Sequence, residues 1–102
     1  MTLIYHITTK EDWEAAKKKG FYTAPSLATE GFIHTSEAEQ VKGVLQRYYQ
    51  GKTNLIKLVI DTRKLASDLK YELAPSVNEN FPHIYGPINL DAVLEVVELG
   101  ED

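Results

Sequence analysis

The segment Asn54-Leu55-Ile56-Lys57-Leu58-Val59-Ile60 is apolar at odd and even positions alike. A pleated strand sends alternate side chains to opposite faces. A strand apolar on both therefore has to be covered on both, which predicts a central strand of a sheet. The run is broken by Lys57 and is too short to span a bilayer. The rest of the chain has to supply the covering layers.

Several segments qualify. Leu3 to Thr8 reads as a strand with Leu3, Tyr5 and Ile7 on one face and Ile4, His6 and Thr8 on the other. Thr8 and Glu11 have the spacing of a capping box, which opens a helix carrying Trp13, Ala16 and Lys17-Lys18-Lys19, closed by Gly20. Phe21-Tyr22-Thr23 is a short strand, and Ala24-Pro25-Ser26 leads into a loop ending at Gly31. Gly31 to Thr35 reads as another strand. Ser36 and Glu39 open a second helix, with Ala38, Val41, Leu45 and Tyr48 in one apolar stripe before Gly51. Asp61 to Leu65 is a turn or one helical turn. In Leu69 to Leu73 the alternation sends Leu69, Tyr71 and Leu73 inward and Lys70 and Glu72 the other way. Pro75 to Pro82 reads as a polar loop and Ala92 to Leu99 as a last strand. Strands outnumber helices without alternating strictly with them. The expectation is a single α+β domain over residues 1–102, with a curved, mostly antiparallel sheet and two main helices.

The formal net charge is −4. The one dense basic cluster, Lys17 to Lys19, falls at a helix end, where cations favour the dipole. Duplex nucleic acid is therefore not an expected partner. The chain has no cysteine, hence no disulfide and no thiolate metal site, which fits the cytoplasm. MTLIYHITTKEDW shows no basic start followed by an apolar core, so neither signal peptide nor membrane anchor is expected. A monomer or small homo-oligomer follows.

His6, His34 and His83 are the three histidines, and each stands in a strand-like, apolar setting. A half-buried imidazole needs a hydrogen-bond partner. Each can be satisfied separately, or the three can converge on one cleft. Three histidines can hold a zinc ion. Here no HxH or HxxxH pair places two on one element, so no metal is expected. Ser36 fits an N-cap, and on a strand it points the same way as His34. The turn would then join an imidazole, a hydroxyl and a helix start, a seat for phosphate or carboxylate.

FPHIYGPI, Phe81 to Ile88, holds a histidine and a tyrosine between two prolines. The prolines restrict the residues before them to extended backbone and cannot donate to a ladder, which suggests a sheet edge or extended loop. Phe81, His83 and Tyr85 face one way and Ile84 the other, toward the core. Gly86 leaves room for close backbone approach. Rigidity would hold His83 and Tyr85 in place for a ligand. Glu72 is either solvent-exposed or, facing the same cleft, an acid/base group or an orienter of a histidine.

Tyr5-His6, Gly31-Phe32-Ile33-His34-Thr35-Ser36, Tyr71-Glu72 and Phe81 to Pro87 together resemble the bacterial family called domain of unknown function 952, over nearly the whole chain and in order. That family is grouped with the ADP-ribosyltransferase-like fold. The resemblance implies a split, mostly antiparallel sheet with a nicotinamide-dinucleotide cleft between its halves, and so NAD as a cofactor. It implies a ribose contact at His6, a second polar position at His34 or Ser36, and a late-strand position at Glu72, His83 or Tyr85. The resulting expectation is an enzyme acting on NAD, ADP-ribose or a related phosphorylated nucleotide. His83 and Glu72 would transfer protons, and His6, His34, Ser36, Tyr85 and Gly86 would bind. The alternatives are a non-catalytic small-molecule binding module with the same cleft, and an interaction protein whose histidines are structural.

Overall fold

The computed structural model describes residues 2–99. The doubly apolar strand, β4 (Leu55–Asp61), lies in the middle of a three-stranded sheet, between β1 (Leu3–Thr9) and β8 (Val93–Glu98). Ile4 stands opposite Ile60 and His6 opposite Leu58. Ile4, Ile56, Leu58 and Ile60 are buried in the main core, with Ala16 and Trp13 of α1 (Lys10–Lys19) packed against them. Each such side chain contributes about 1.5–3 kcal/mol by leaving water. α1 starts one residue later than the sequence suggests. Thr9 is the cap, its hydroxyl accepting from the Asp12 amide at 3.1 Å. Thr8 remains on the strand, buried. Gly20 closes the helix in the left-handed region, at φ 97°.

The short strand read at Phe21 to Thr23 is β2 (Phe21–Tyr22); its partner in a two-stranded ribbon, β7 (Ile88–Asn89), is one the sequence does not announce. The stretch read as a loop up to Gly31 is instead a helix, α2 (Pro25–Glu30). Pro25 occupies its first turn, where no N–H is needed, and Gly31 is its left-handed cap. With three apolar residues and no charged residue before Glu30, this segment offers little periodicity to betray it.

β3 (Ile33–His34), β5 (Asp68–Ala74) and β6 (Glu79–Tyr85) form the second three-stranded sheet, in the order β3-β6-β5. Every strand pair in the three sheets is antiparallel. The proline-bearing segment thus occupies the centre of its sheet, not an edge. The tolerance of Pro82 has a local cause. The Pro82 carbonyl accepts from the amide of Thr35 at 3.1 Å and from its hydroxyl at 2.6 Å. The reciprocal bond is the one a proline cannot make, and the chain leaves the sheet there. Ser36 then exchanges two backbone hydrogen bonds, both 2.8 Å, with Tyr5 of β1. Residues 34 to 36 therefore belong to both three-stranded sheets and hold them together.

The helix after this crossing is not capped by Ser36. A 3-10 turn, Ala38–Gln40, precedes α3 (Val41–Tyr48), and Glu37 is its cap, its amide donating to Gln40 Oε1 at 2.9 Å. Ser36 is held in the bridge to β1 instead. The expected seat of hydroxyl plus helix start is therefore not formed at Ser36. No residue of α3 is buried, and Tyr48 is largely exposed. Val44 and Tyr48 of α3 share with Tyr5 and Ile7 of β1 the lining of an open cleft.

Candidate functional site

A cleft of about 300 Å³ opens between the two three-stranded sheets and α3. Its lining includes Tyr5, His6, His34, Ser36, Phe81 and His83, with Val44, Tyr48 and Tyr49 on the α3 side. All three histidines reach it, from β1, β3 and β6. Their convergence is a product of the crossing at residues 34 to 36, which brings one strand of each sheet to the same seam.

The three imidazoles are not equivalent. His6 is 6 % exposed, and both of its ring nitrogens have protein partners. Nδ1 lies 2.6 Å from the carbonyl of His34 and Nε2 lies 2.8 Å from the hydroxyl of Tyr22. Burial lowers its pKa to about 4, against a smaller opposing effect of the His34 carbonyl. The ring is therefore neutral at pH 7. A carbonyl only accepts, so the proton is on Nδ1, and Nε2 accepts from Tyr22. The Tyr22 and Thr8 hydroxyls are 2.9 Å apart, and Thr8 completes the chain by donating to Tyr22. Burial pushes the Tyr22 phenol up to about 12, which keeps it a donor. His6 thus spans β1, β2 and β3 as a strut, leaving no ring nitrogen free for a ribose.

His83 is 8 % exposed. Its Nδ1 lies 2.7 Å from Glu72 Oε1, and the Tyr85 hydroxyl donates to the same oxygen at 2.5 Å. Glu72 pairs across the strands with Phe81 and so shares the face of Phe81, His83 and Tyr85. The alternation of β5 is as the sequence suggests, but Glu72 points at the cleft wall, while Tyr71 and Leu73 on the opposite face are exposed. The expectation that Leu69, Tyr71 and Leu73 all point inward therefore holds only for Leu69, the one of the three that packs against the core from this edge strand. Hydrogen bonds from Tyr85 and then His83 hold the Glu72 carboxyl below its usual range, and the bond to Glu72 pushes the Tyr85 phenol up. A carboxylate only accepts, so His83 Nδ1 carries a hydrogen toward Glu72 and the ring turns Nε2 away from it. No side-chain nitrogen or oxygen is both fully buried and unpartnered among the described residues. His83 Nε2, without a protein partner, is therefore open to the cleft. The same holds for the hydroxyl of Ser36, a residue only 5 % exposed.

His34 is the exposed member. Its Nε2 lies 3.2 and 3.3 Å from the two oxygens of Glu30 at the end of α2. Its ring centroid is 5.3 Å from that of His83, nearly perpendicular to it. Phe32 stacks on His83 at 4.0 Å and meets His34 edge-on at 4.9 Å, fixing both planes. Phe32 and Glu30 escape a reading of the sequence that looks for polar side chains within strands. Phe32 is two residues from His34, the spacing that shares a face, which is the signal that could have found it.

Of the residues singled out from sequence, His6, His34, Ser36 and His83 meet at the cleft. Glu72 and Tyr85 stand behind His83. Gly86 is elsewhere. A Cβ on it would collide with the side chain of Ser67, whose hydroxyl donates to the Pro87 carbonyl at 2.7 Å. Its close approach is to Ser67, not to a ligand.

Among the described residues no group of three histidine, aspartate or glutamate side chains is arranged to hold a metal ion. Neither lysine nor arginine is among the described residues lining the cleft, and its volume is at the small end for ligand sites. The two charges of a diphosphate would meet only imidazoles and hydroxyls.

The fold and cleft define an α+β domain with a histidine-lined hollow between two antiparallel sheets, and no helix among the described residues is long and apolar enough to cross a membrane. Residues 7–96 match the family described as protein of unknown function (DUF952), and the chain belongs to that family. It is similar to protein CC0527 from Caulobacter crescentus. Against the crystal structure the identity is 33 %, with a TM-score of 0.90, covering 99 % of this chain and 89 % of that one. Against the solution NMR structure the values are 34 % and 0.84, covering 100 % and 88 %. No curated protein matches the chain.

Proposed function

We propose that this protein is an enzyme acting on a small phosphorylated nucleotide, with His83 as general base and Glu72 holding it. The observation that carries the reading is the dyad itself. A carboxylate 2.7 Å from Nδ1 orients the ring, and His83 shares with Ser36 the lining of a cleft walled by aromatic rings. Tyr5, Tyr48 and Phe81 offer faces for a flat heteroaromatic base. Ser36 and the free imidazole nitrogens offer polar contacts for a phosphoryl group or sugar hydroxyl. The split antiparallel sheet with its cleft at the seam supports a likeness to ADP-ribosyltransferase-like folds. On that likeness ADP-ribose or NAD would enter with one half in this cleft. A hollow of about 350 Å³ shares His6, His34 and Tyr49 with it and lies open to the other half.

Saturation-transfer NMR with AMP, ADP-ribose and NAD at millimolar concentration tests the reading. AMP is expected to receive saturation, and His83→Ala to abolish or weaken it. Absence of transfer to all three would remove the nucleotide. A ligand that binds and survives days of incubation unchanged would make the protein a binding module instead.

A further inference from the structure

The cleft holds two carboxylate-backed imidazoles, not one. His83 has Glu72 on Nδ1 at 2.7 Å, and His34 has Glu30 on Nε2 at 3.2 Å. Each keeps its other nitrogen without a protein partner among the described residues. Their ring centroids are 5.3 Å apart across a shared Phe32 platform, near enough for both to reach one small group. Their surroundings push them toward different roles. His83 is buried, and its carboxylate is already answered by the Tyr85 phenol as well. His34 is solvated, at the mouth of the cleft, and beside a carboxylate that no other group shares among the described residues.

We propose that His34 is the general acid of the site and His83 its base, and that the pair hydrolyses a small phosphodiester of a nucleoside. This rests on the reading above and names its reaction. His83 Nε2 takes a proton from water as the water oxygen attacks phosphorus. The bond from phosphorus to the leaving alkoxide oxygen breaks, and imidazolium His34 gives Nδ1–H to that oxygen. The product is a phosphomonoester and an alcohol, with His83 protonated and His34 neutral. Exchange with solvent restores both, and no other reactant is required. A mononucleotide diester matches a cleft of about 300 Å³. The charged and titratable groups around the pair are Glu30 on α2, Glu72 and Lys70 on β5, Tyr85 on β6 and neutral His6 on β1.

Two substrates separate the acid from everything else. Adenosine 2′,3′-cyclic phosphate has an alkoxide leaving group that needs a proton. The p-nitrophenyl ester of thymidine monophosphate has one that does not. The wild-type protein is expected to hydrolyse both, the first with a bell-shaped pH profile. His34→Gln should lose about a hundredfold or more on the cyclic phosphate and little on the nitrophenyl ester. Glu30→Gln should slow the cyclic phosphate more than the nitrophenyl ester, because the His34 ring loses the partner that orients it. Both side chains are exposed, so neither variant should change the melting temperature. His83→Gln should lose activity on both substrates. AMP binding with no hydrolysis of either ester would overturn the proposal and leave the nucleotide reading standing. So would equal losses on both esters in His34→Gln. Absence of saturation transfer to any nucleotide would remove the earlier reading itself.

Discussion

His6 shows how burial decides the role of a single residue. The same imidazole at a strand edge would be a ligand. At 6 % exposure, with a carbonyl on one side and a phenol on the other, it is a neutral cross-brace. Its folded pKa, about 4, lies below the ordinary histidine value of 6.5 because burial disfavours the charged ring. The unfolded chain therefore takes up a proton at a pH where the folded one does not. The stabilisation is complete above about pH 6.5 and is lost as pH falls toward 4, amounting to on the order of 3 kcal/mol. Urea unfolding at pH 7 and pH 4.5 should show this loss. A His6→Gln variant should show a smaller pH slope than the wild type, even if less stable throughout. An unchanged slope would mean that His6 is charged or open to water in the folded protein.

Among elements, β6 departs furthest from what its residues suggest alone. Two prolines flanking a histidine and a tyrosine point to an edge, because a proline removes a ladder donor. Yet β6 is central. The donor is missing only where Thr35 has begun to leave for the other sheet, so the local environment of Pro82 is an edge even though the strand is not. Ile84 is fully buried opposite Ile33, as the alternation of the segment requires. At the end of β6, Gly86 abuts Ser67. A methyl group there would force Ser67 or the turn to move, and Gly86→Ala should destabilise the protein by about 1–3 kcal/mol. Adding Ser67→Gly should recover part of that loss. Thermal melts of the two variants check it. A single variant as stable as the wild type would show that the turn yields freely.

Across the whole molecule, the cleft exists because two small sheets share three residues. His34 pairs with His83, Thr35 bonds Pro82 twice, and Ser36 pairs with Tyr5. Neither sheet has another such seam among the described residues, and the His6 strut reinforces this one. Unfolding should therefore be one transition. Trp13 fluorescence, reporting the first sheet, and the Ile84 amide resonance, reporting the second, should give the same urea midpoint. Separate midpoints would show that the sheets come apart before they melt.

Strand and helix content was legible wherever one face of an element meets the core. The alternation of β1 and the stripe of α1 follow from burial on a fixed side, and the unbroken apolar run of β4 from burial on both; the alternation of β5 was legible, but not that Tyr71 and Leu73 would be left exposed. Elements too short to show a period, such as α2 and β7, left no such trace. The pairing of Glu72 with His83, the closing of His6 by Tyr22 and the contact of Gly86 with Ser67 depend on register between distant segments. Local pattern specifies which face a side chain takes; only the packed sheets decide what stands opposite it.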